Sequence, residues 1–112
     1  MKEEMLAFLN ERIAWHKQEQ ARLKQDDRAD EAAHMQIAMN VYSIFQSTWQ
    51  AMQYDMGETL RRFGAIVETW NENHRKACEH SNVTKKLIEE IKVNRALEII
   101  RQAKELEAMH HD

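Results

Sequence analysis

The sequence predicts an all-α protein, an antiparallel up-down-up-down bundle of about four long helices. Its 112 residues include only two glycines and no proline, whereas the tight turns of a small β-sheet depend on these residues. Apolar residues also recur at spacings of three and four over long stretches, which is the period of an amphipathic helix. We therefore expect a single helical domain covering residues 1–112.

The first helix is predicted from about Lys2 to Gln25. One face of it carries a stripe at helical spacing: Leu6, Leu9, Ile13, His16, Gln20 and Leu23. The stripe is apolar at both ends and polar in the middle, at His16 and Gln20. The pair Asp26 and Asp27 marks the first break, because aspartate favours the cap position before a helix.

The second helix should open at Asp27 or Asp30, and it has the most regular stripe in the chain. The residues of this stripe alternate steps of three and four: Met35, Ala38, Tyr42, Phe45, Trp49, Met52 and Met56. Ile37, Val41 and Ile44 widen the apolar face. We expect this helix to be the most buried of the set.

Two interpretations are open around Gly57. Glycine takes the left-handed conformation that ends many helices, and Asp55 with Glu58 has the spacing of a capping box, so both signals favour a reversal. The alternative is an elongated protein with Gly57 inside one long helix, at a cost of about 1 kcal/mol relative to alanine. The next stripe begins almost in phase with the previous one, as Leu60, Phe63, Val67, Trp70, His74 and Ala77.

The last helix is predicted from about Asn82 to Met109, with Ser81 as its N-cap. Its apolar residues do not share one face when projected at the helical period. A helix that is apolar on most sides needs neighbours on most sides. We therefore expect a homodimer that forms through Val93, Leu97 and Ile100, which project away from the face of Leu87 and Ile91.

Charge and composition exclude several classes of partner. Sixteen basic and nineteen acidic residues give a formal net charge of −3, whereas nucleic-acid binders usually carry a positive excess. No stretch approaches the ~20 apolar residues that span a bilayer. One cysteine, Cys78, fits a reducing compartment, so a cytoplasmic protein without nucleic-acid or membrane partners is expected.

Six histidines are the main chemical signal. Counting positions back from the predicted turns places His16, His34 and Cys78 near one level of the bundle, and His74 lies one turn from Cys78 on the same helix face. Imidazole and thiolate are ligands for zinc and related metals, so His16, His34, His74 and Cys78 are candidate ligands for zinc or another transition metal. The competing interpretation is a buried polar layer that fixes helix register, with Gln20 as a partner of His16.

The sequence contains no motif that assigns a catalytic residue or a cofactor. The two glycines do not form a phosphate-binding loop, and no glycine-rich turn near Cys78 supplies donors for an oxyanion. We therefore expect a non-enzymatic interaction or regulatory module that self-associates. The alternative function is a metal-binding or metal-sensing bundle.

Overall fold

The computed structural model describes residues 1–110 and contains four helices. They are α1 (Lys2–Gln25), α2 (Ala29–Ala51), α3 (Met56–Glu79) and α4 (Val83–Met109). Consecutive helices reverse direction at turns of a few residues, which confirms the predicted all-α, up-down-up-down bundle. The molecule measures 47 × 35 × 22 Å, so it is about two helices thick.

The helices form two hairpins that meet along α2 and α4. Helix α1 packs on α2 and α3 packs on α4, while contact between α1 and α4 is limited and α1 does not contact α3 within the described residues. Helices α2 and α4 each contact all three other helices, and α2 contributes more buried side chains than any other helix. The expectation that the second helix is the most buried is confirmed.

An aromatic core lies near the turn between α2 and α3. The rings of Phe45 and Phe63 meet edge to face with centroids 5.1 Å apart, and Trp70 meets Phe63 in the same way at 6.2 Å. Trp49 extends the core along α2. Each fully buried large apolar side chain of this kind stabilises the fold by about 1.5 to 3 kcal/mol relative to exposure.

The three turns end their helices in the same way, and none of them uses glycine. Asp27, Gln53 and Ser81 have φ values of 60°, 53° and 53°, in the left-handed region, and Tyr54 adds a second left-handed residue, at 64°, to the turn between α2 and α3. In each turn the next amide donates to a carbonyl five residues back, for example from Arg28 to the Leu23 oxygen at 2.9 Å, which is a Schellman motif. A glycine stop at Gly57 was wrong, as was its alternative of one long helix, because the reversal lies at residues 52–55 and Gly57 is the second residue of α3.

Of the N-cap residues predicted for α2, α3 and α4, only that of α3 agrees with the structure. Asp55 caps α3, and its Oδ1 accepts a 3.0 Å hydrogen bond from the Glu58 amide, as predicted. Ser81 was wrong as the cap of α4, because it ends α3 in the left-handed conformation and Asn82 accepts from the Lys85 amide instead. Asp27 and Asp30 were also wrong as the start of α2.

Helix α2 begins after Arg28, whose side chain makes no cap hydrogen bond. Asp27 is unavailable as its cap because it supplies the left-handed position that ends α1. None of the helices in residues 1–110 combines the length and the apolar character that crossing a membrane requires.

Candidate functional site

A buried polar cluster joins α1, α2 and α4 at the middle of the bundle. His16 lies at its centre, with none of its surface exposed. The ring Nδ1 is 2.6 Å from the carbonyl oxygen of Arg12, one turn earlier, and Nε2 is 3.2 Å from Nε of Arg95 on α4. Because a guanidinium only donates, Nε2 accepts from Arg95, and the proton of the neutral ring is on Nδ1, which donates to the carbonyl.

Glu98 connects the three helices of this cluster. Its Oε1 accepts a 2.6 Å hydrogen bond from the Tyr42 hydroxyl and lies 3.3 Å from Arg12 Nε, in an ion pair without hydrogen-bond alignment. Burial, with a smaller effect from Glu98, raises the pKa of Tyr42 to about 12. Tyr42 is therefore a neutral donor at physiological pH.

The surroundings of His16 favour its neutral form. Burial is the main cause that lowers its pKa below the ordinary 6.5, and the positive charges of Arg95 and Arg12 lower it further. The hydrogen bond to the Arg12 carbonyl and the charge of Glu98 act in the opposite direction and do not offset these effects. The ring is thus an uncharged hydrogen-bonded linker between α1 and α4.

The structure separates the four candidate metal ligands. Both ring nitrogens of His16 have hydrogen-bond partners, so no lone pair is free for a metal in this arrangement. His34 is half-buried on α2, eight residues before the Tyr42 ring that contacts His16, which is about 12 Å along the helix. Within residues 1–110 no group of three or more His, Cys, Asp or Glu side chains is arranged to hold a metal ion.

His74 and Cys78 do lie together, at the end of the α3–α4 hairpin. Cys78 Sγ is 3.9 Å from His74 Nδ1 and 4.0 Å from Nε2, and the thiol is exposed. His74 Nε2 also lies 3.1 Å from Oε1 of Glu90 on α4. His74 is therefore close to the thiol of Cys78 and to the carboxylate of Glu90, and His74 and Glu90 line a polar cleft of about 290 Å³.

The three predicted interface residues lie on two parts of α4. Leu97 is 53% exposed, and with Ile100 it lines a shallow surface depression of about 470 Å³. Val93 instead lines the cleft beside His74. Val93 and Ile100 are each half-buried and pack partly against the apolar core, so Leu97 is the most outward of the three.

The sequence predicted a polar layer at His16 but missed most of its members. Gln20 was wrong as the partner of His16, because its amide donates to the Ala32 carbonyl and to Gln36. The four-residue spacing of Arg12 and His16 was a usable signal, since it places both on one helix face. The partners on α4 could not be found in this way, because they are about eighty residues away along the chain.

Comparisons with family models, with curated proteins and with solved structures gave no significant match to this chain.

Proposed function

We propose that this protein is a non-enzymatic interaction module that self-associates through the outward face of α4. The observation that carries the proposal is Leu97, a large apolar side chain 53% exposed in the middle of a long helix, next to the depression lined by Ile100. Exposing such a side chain to water costs free energy that burial against a partner recovers.

The occupant that we propose for this face is a second copy of the chain. A twofold interface uses the same patch on both subunits, so the patch must be complementary to itself. The depression has an apolar centre, and its rim carries both signs of charge, with Arg101 and Lys104 near Glu105. In an antiparallel pair of α4 helices, Arg101 or Lys104 of one copy can face Glu105 of the other.

The test is the sedimentation coefficient of the full chain over a range of concentrations. The wild type should sediment as a dimer, and Leu97→Glu should sediment as a monomer, with Leu97→Glu plus Ile100→Glu as a stronger variant. Leu87→Glu is the matched control, because Leu87 is an exposed leucine of the same helix at 42% exposure and lies outside the depression. A monomeric wild type, or a Leu97→Glu variant that remains dimeric, would remove this interface.

A second candidate function is transition-metal binding at the end of α3, and it rests on the contact between His74 and Cys78. Two ligands of one tetrahedral zinc ion stand about 3.3 to 3.6 Å apart, given metal bonds of about 2.0 to 2.3 Å. The observed 3.9 Å separation between Sγ and Nδ1 needs only a small side-chain adjustment. Glu90, whose Oε1 lies 3.1 Å from His74 Nε2, is the candidate third ligand.

Cobalt titration tests this candidate, because a thiolate bound to Co²⁺ produces an intense absorption band. Binding at this site predicts that Cys78→Ser and His74→Gln each abolish the band. His34→Gln is the control, and it should leave the band unchanged because His34 lies on another part of the bundle. No thiolate band in the wild type, or loss of the band in His34→Gln, contradicts a site built on His74 and Cys78.

A further inference from the structure

We propose that His16 makes the contact between α1 and α4 sensitive to acid: when its ring gains a second proton, α1 separates from α4 while the two hairpins remain folded. This device is independent of self-association and of metal binding. It rests on the hydrogen bonds, burial and neighbouring charges of the polar cluster.

The hydrogen bonds of His16 fit only the neutral ring. Nε2 accepts from Arg95 at 3.2 Å, and a proton on Nε2 would place two donors against each other at that distance. Nδ1 already donates to the Arg12 carbonyl, so the ring cannot exchange roles by changing tautomer. The side chain is fully buried, so water does not reach the new donor in the closed form.

The charges around His16 also oppose protonation. From α1 it faces Arg12 and the edge of the Trp15 ring, from α2 it faces neutral Tyr42, and from α4 it faces Arg95 and Glu98. The charged neighbours of His16 are therefore two guanidinium groups and one carboxylate. That carboxylate is already engaged by Tyr42 and Arg12, so an imidazolium would add a third positive charge to a site with one negative charge.

The direction of the pH effect follows from the lowered pKa of His16. The unfolded or separated ring binds a proton near its ordinary value of about 6.5, whereas the buried ring binds it only at lower pH. The contribution of the cluster is therefore fully present above about pH 6.5 and declines as the pH falls towards the folded pKa. Each unit by which the pKa of the buried ring lies below that of the separated ring corresponds to about a tenfold change in the equilibrium between the closed and separated forms.

The α1–α4 contact is the part of the fold that depends on these groups. Polar contacts join the two helices at three levels: Arg95 with His16, Glu98 with Arg12, and His110 with Glu4. Only the first of these contacts involves His16, so separation begins at its level. The α1–α2 and α3–α4 hairpins contain extensive contacts that do not involve this ring.

Spin-label distances in the full chain test the proposal. In a Cys78→Ser background, one pair of labels at Lys17 and Asn94 spans α1 and α4, and a matched pair at Glu68 and Asn94 spans α3 and α4. Labelled protein is diluted with unlabelled protein so that only distances within one chain are measured. From pH 7.5 to pH 5.5 the first distance should increase by at least about 5 Å, half of an interhelical spacing, and the second should not change.

Two substitutions identify the group responsible. His16→Gln keeps one donor and one acceptor but does not titrate, so its α1–α4 distance should be the same at both pH values. His110→Gln should respond to acid as the wild type does. The proposal is overturned if the wild-type α1–α4 distance does not change, if both distances increase together, or if His16→Gln responds like the wild type. The two distances measured in the wild type test the proposal without any substitution at position 16. The test therefore remains valid even if His16→Gln misfolds.

Discussion

The polar cluster between α1 and α4 and the aromatic core of α2 and α3 are both buried, but they are stabilised by different interactions. In the cluster around His16 the polar contacts are directional, with distances of 2.6 to 3.3 Å, and three of these four contacts involve a charged group. Around Phe45 and Phe63 the contacts are apolar and edge to face. Apolar burial is not directional and scales with area, whereas buried polar groups require particular partners.

The two regions therefore contribute differently to the protein. The aromatic core supplies much of the free energy of folding, and that contribution does not depend on protonation. The polar cluster fixes the height of α1 against α4, because a shift by one turn would leave the buried His16 without its hydrogen-bond partner Arg95. Such a cluster adds less net stability, because desolvation offsets much of the electrostatic gain, and its contribution changes with pH.

The largest expected effect is from truncation in the aromatic core. Phe45→Ala should lower the free energy of unfolding by about 3 to 5 kcal/mol, because the ring is fully buried between Phe63 and Trp49 and its removal leaves a cavity. The control is Ile44→Ala, its neighbour at 36% exposure, which should cost about 1 kcal/mol or less. Urea unfolding at pH 7.5 and at pH 5.5 measures both. A loss for Phe45→Ala that differs between the two pH values would contradict the distinction between the regions.

A smaller loss of stability is expected from a substitution in the polar cluster. Tyr42→Phe removes only the hydroxyl that donates to Glu98, and a hydrogen bond to a partly exposed carboxylate contributes about 1 to 2 kcal/mol. Tyr54→Phe, at an exposed turn residue, should change stability by less than about 0.5 kcal/mol. The same urea measurement compares them. Equal losses for the two variants would show that the Tyr42 hydroxyl does not contribute to the cluster.

The turn between α2 and α3, next to the aromatic core, and the turn between α1 and α2 should differ in how much the residue before the next helix contributes to stability. Asp55→Ala removes the cap of α3 and should cost about 1 kcal/mol. Arg28→Ala at the start of α2 should cost less than about 0.5 kcal/mol, because Arg28 makes no cap hydrogen bond and its ion pair with Glu31 is exposed. Thermal unfolding followed by circular dichroism separates the two. An Arg28→Ala variant as destabilised as Asp55→Ala would mean that the start of α2 needs the Arg28 side chain.

The smallest effect concerns Gly57 and has the opposite sign. Gly57→Ala should stabilise the protein by up to about 1 kcal/mol, because the residue is helical with negative φ, and an added Cβ would meet only Asp55 Oδ1 at an ordinary 3.5 Å. Gly64→Ala is the companion variant inside α3, since a Cβ there has no neighbour within 4 Å. A destabilised Gly57→Ala variant would show that position 57 needs a glycine conformation.

Helical period and composition were sufficient to predict the helices, their amphipathic faces and the number of reversals. The stripe from Ala38 to Trp49 predicted the buried face of α2, and Asp55 predicted the start of α3, because helical period and capping are local properties of the chain. Turn chemistry was less predictable. The left-handed positions at Asp27, Gln53 and Ser81 carry no glycine, so packing of the flanking helices must offset their conformational cost.

Which polar groups meet depends on how the four helices pack. His16 was recognisable as a polar residue on an apolar stripe, but its partner Arg95 and the junction at Glu98 lie on a helix almost eighty positions away. Packing also placed His34 on a different part of the bundle from His74 and Cys78. It turned Leu97 outward, whereas Val93 and Ile100 became half-buried. The physical reason is that a helix period specifies which residues share a face, whereas the rotation and height of one helix against another are set by packing of all their side chains together.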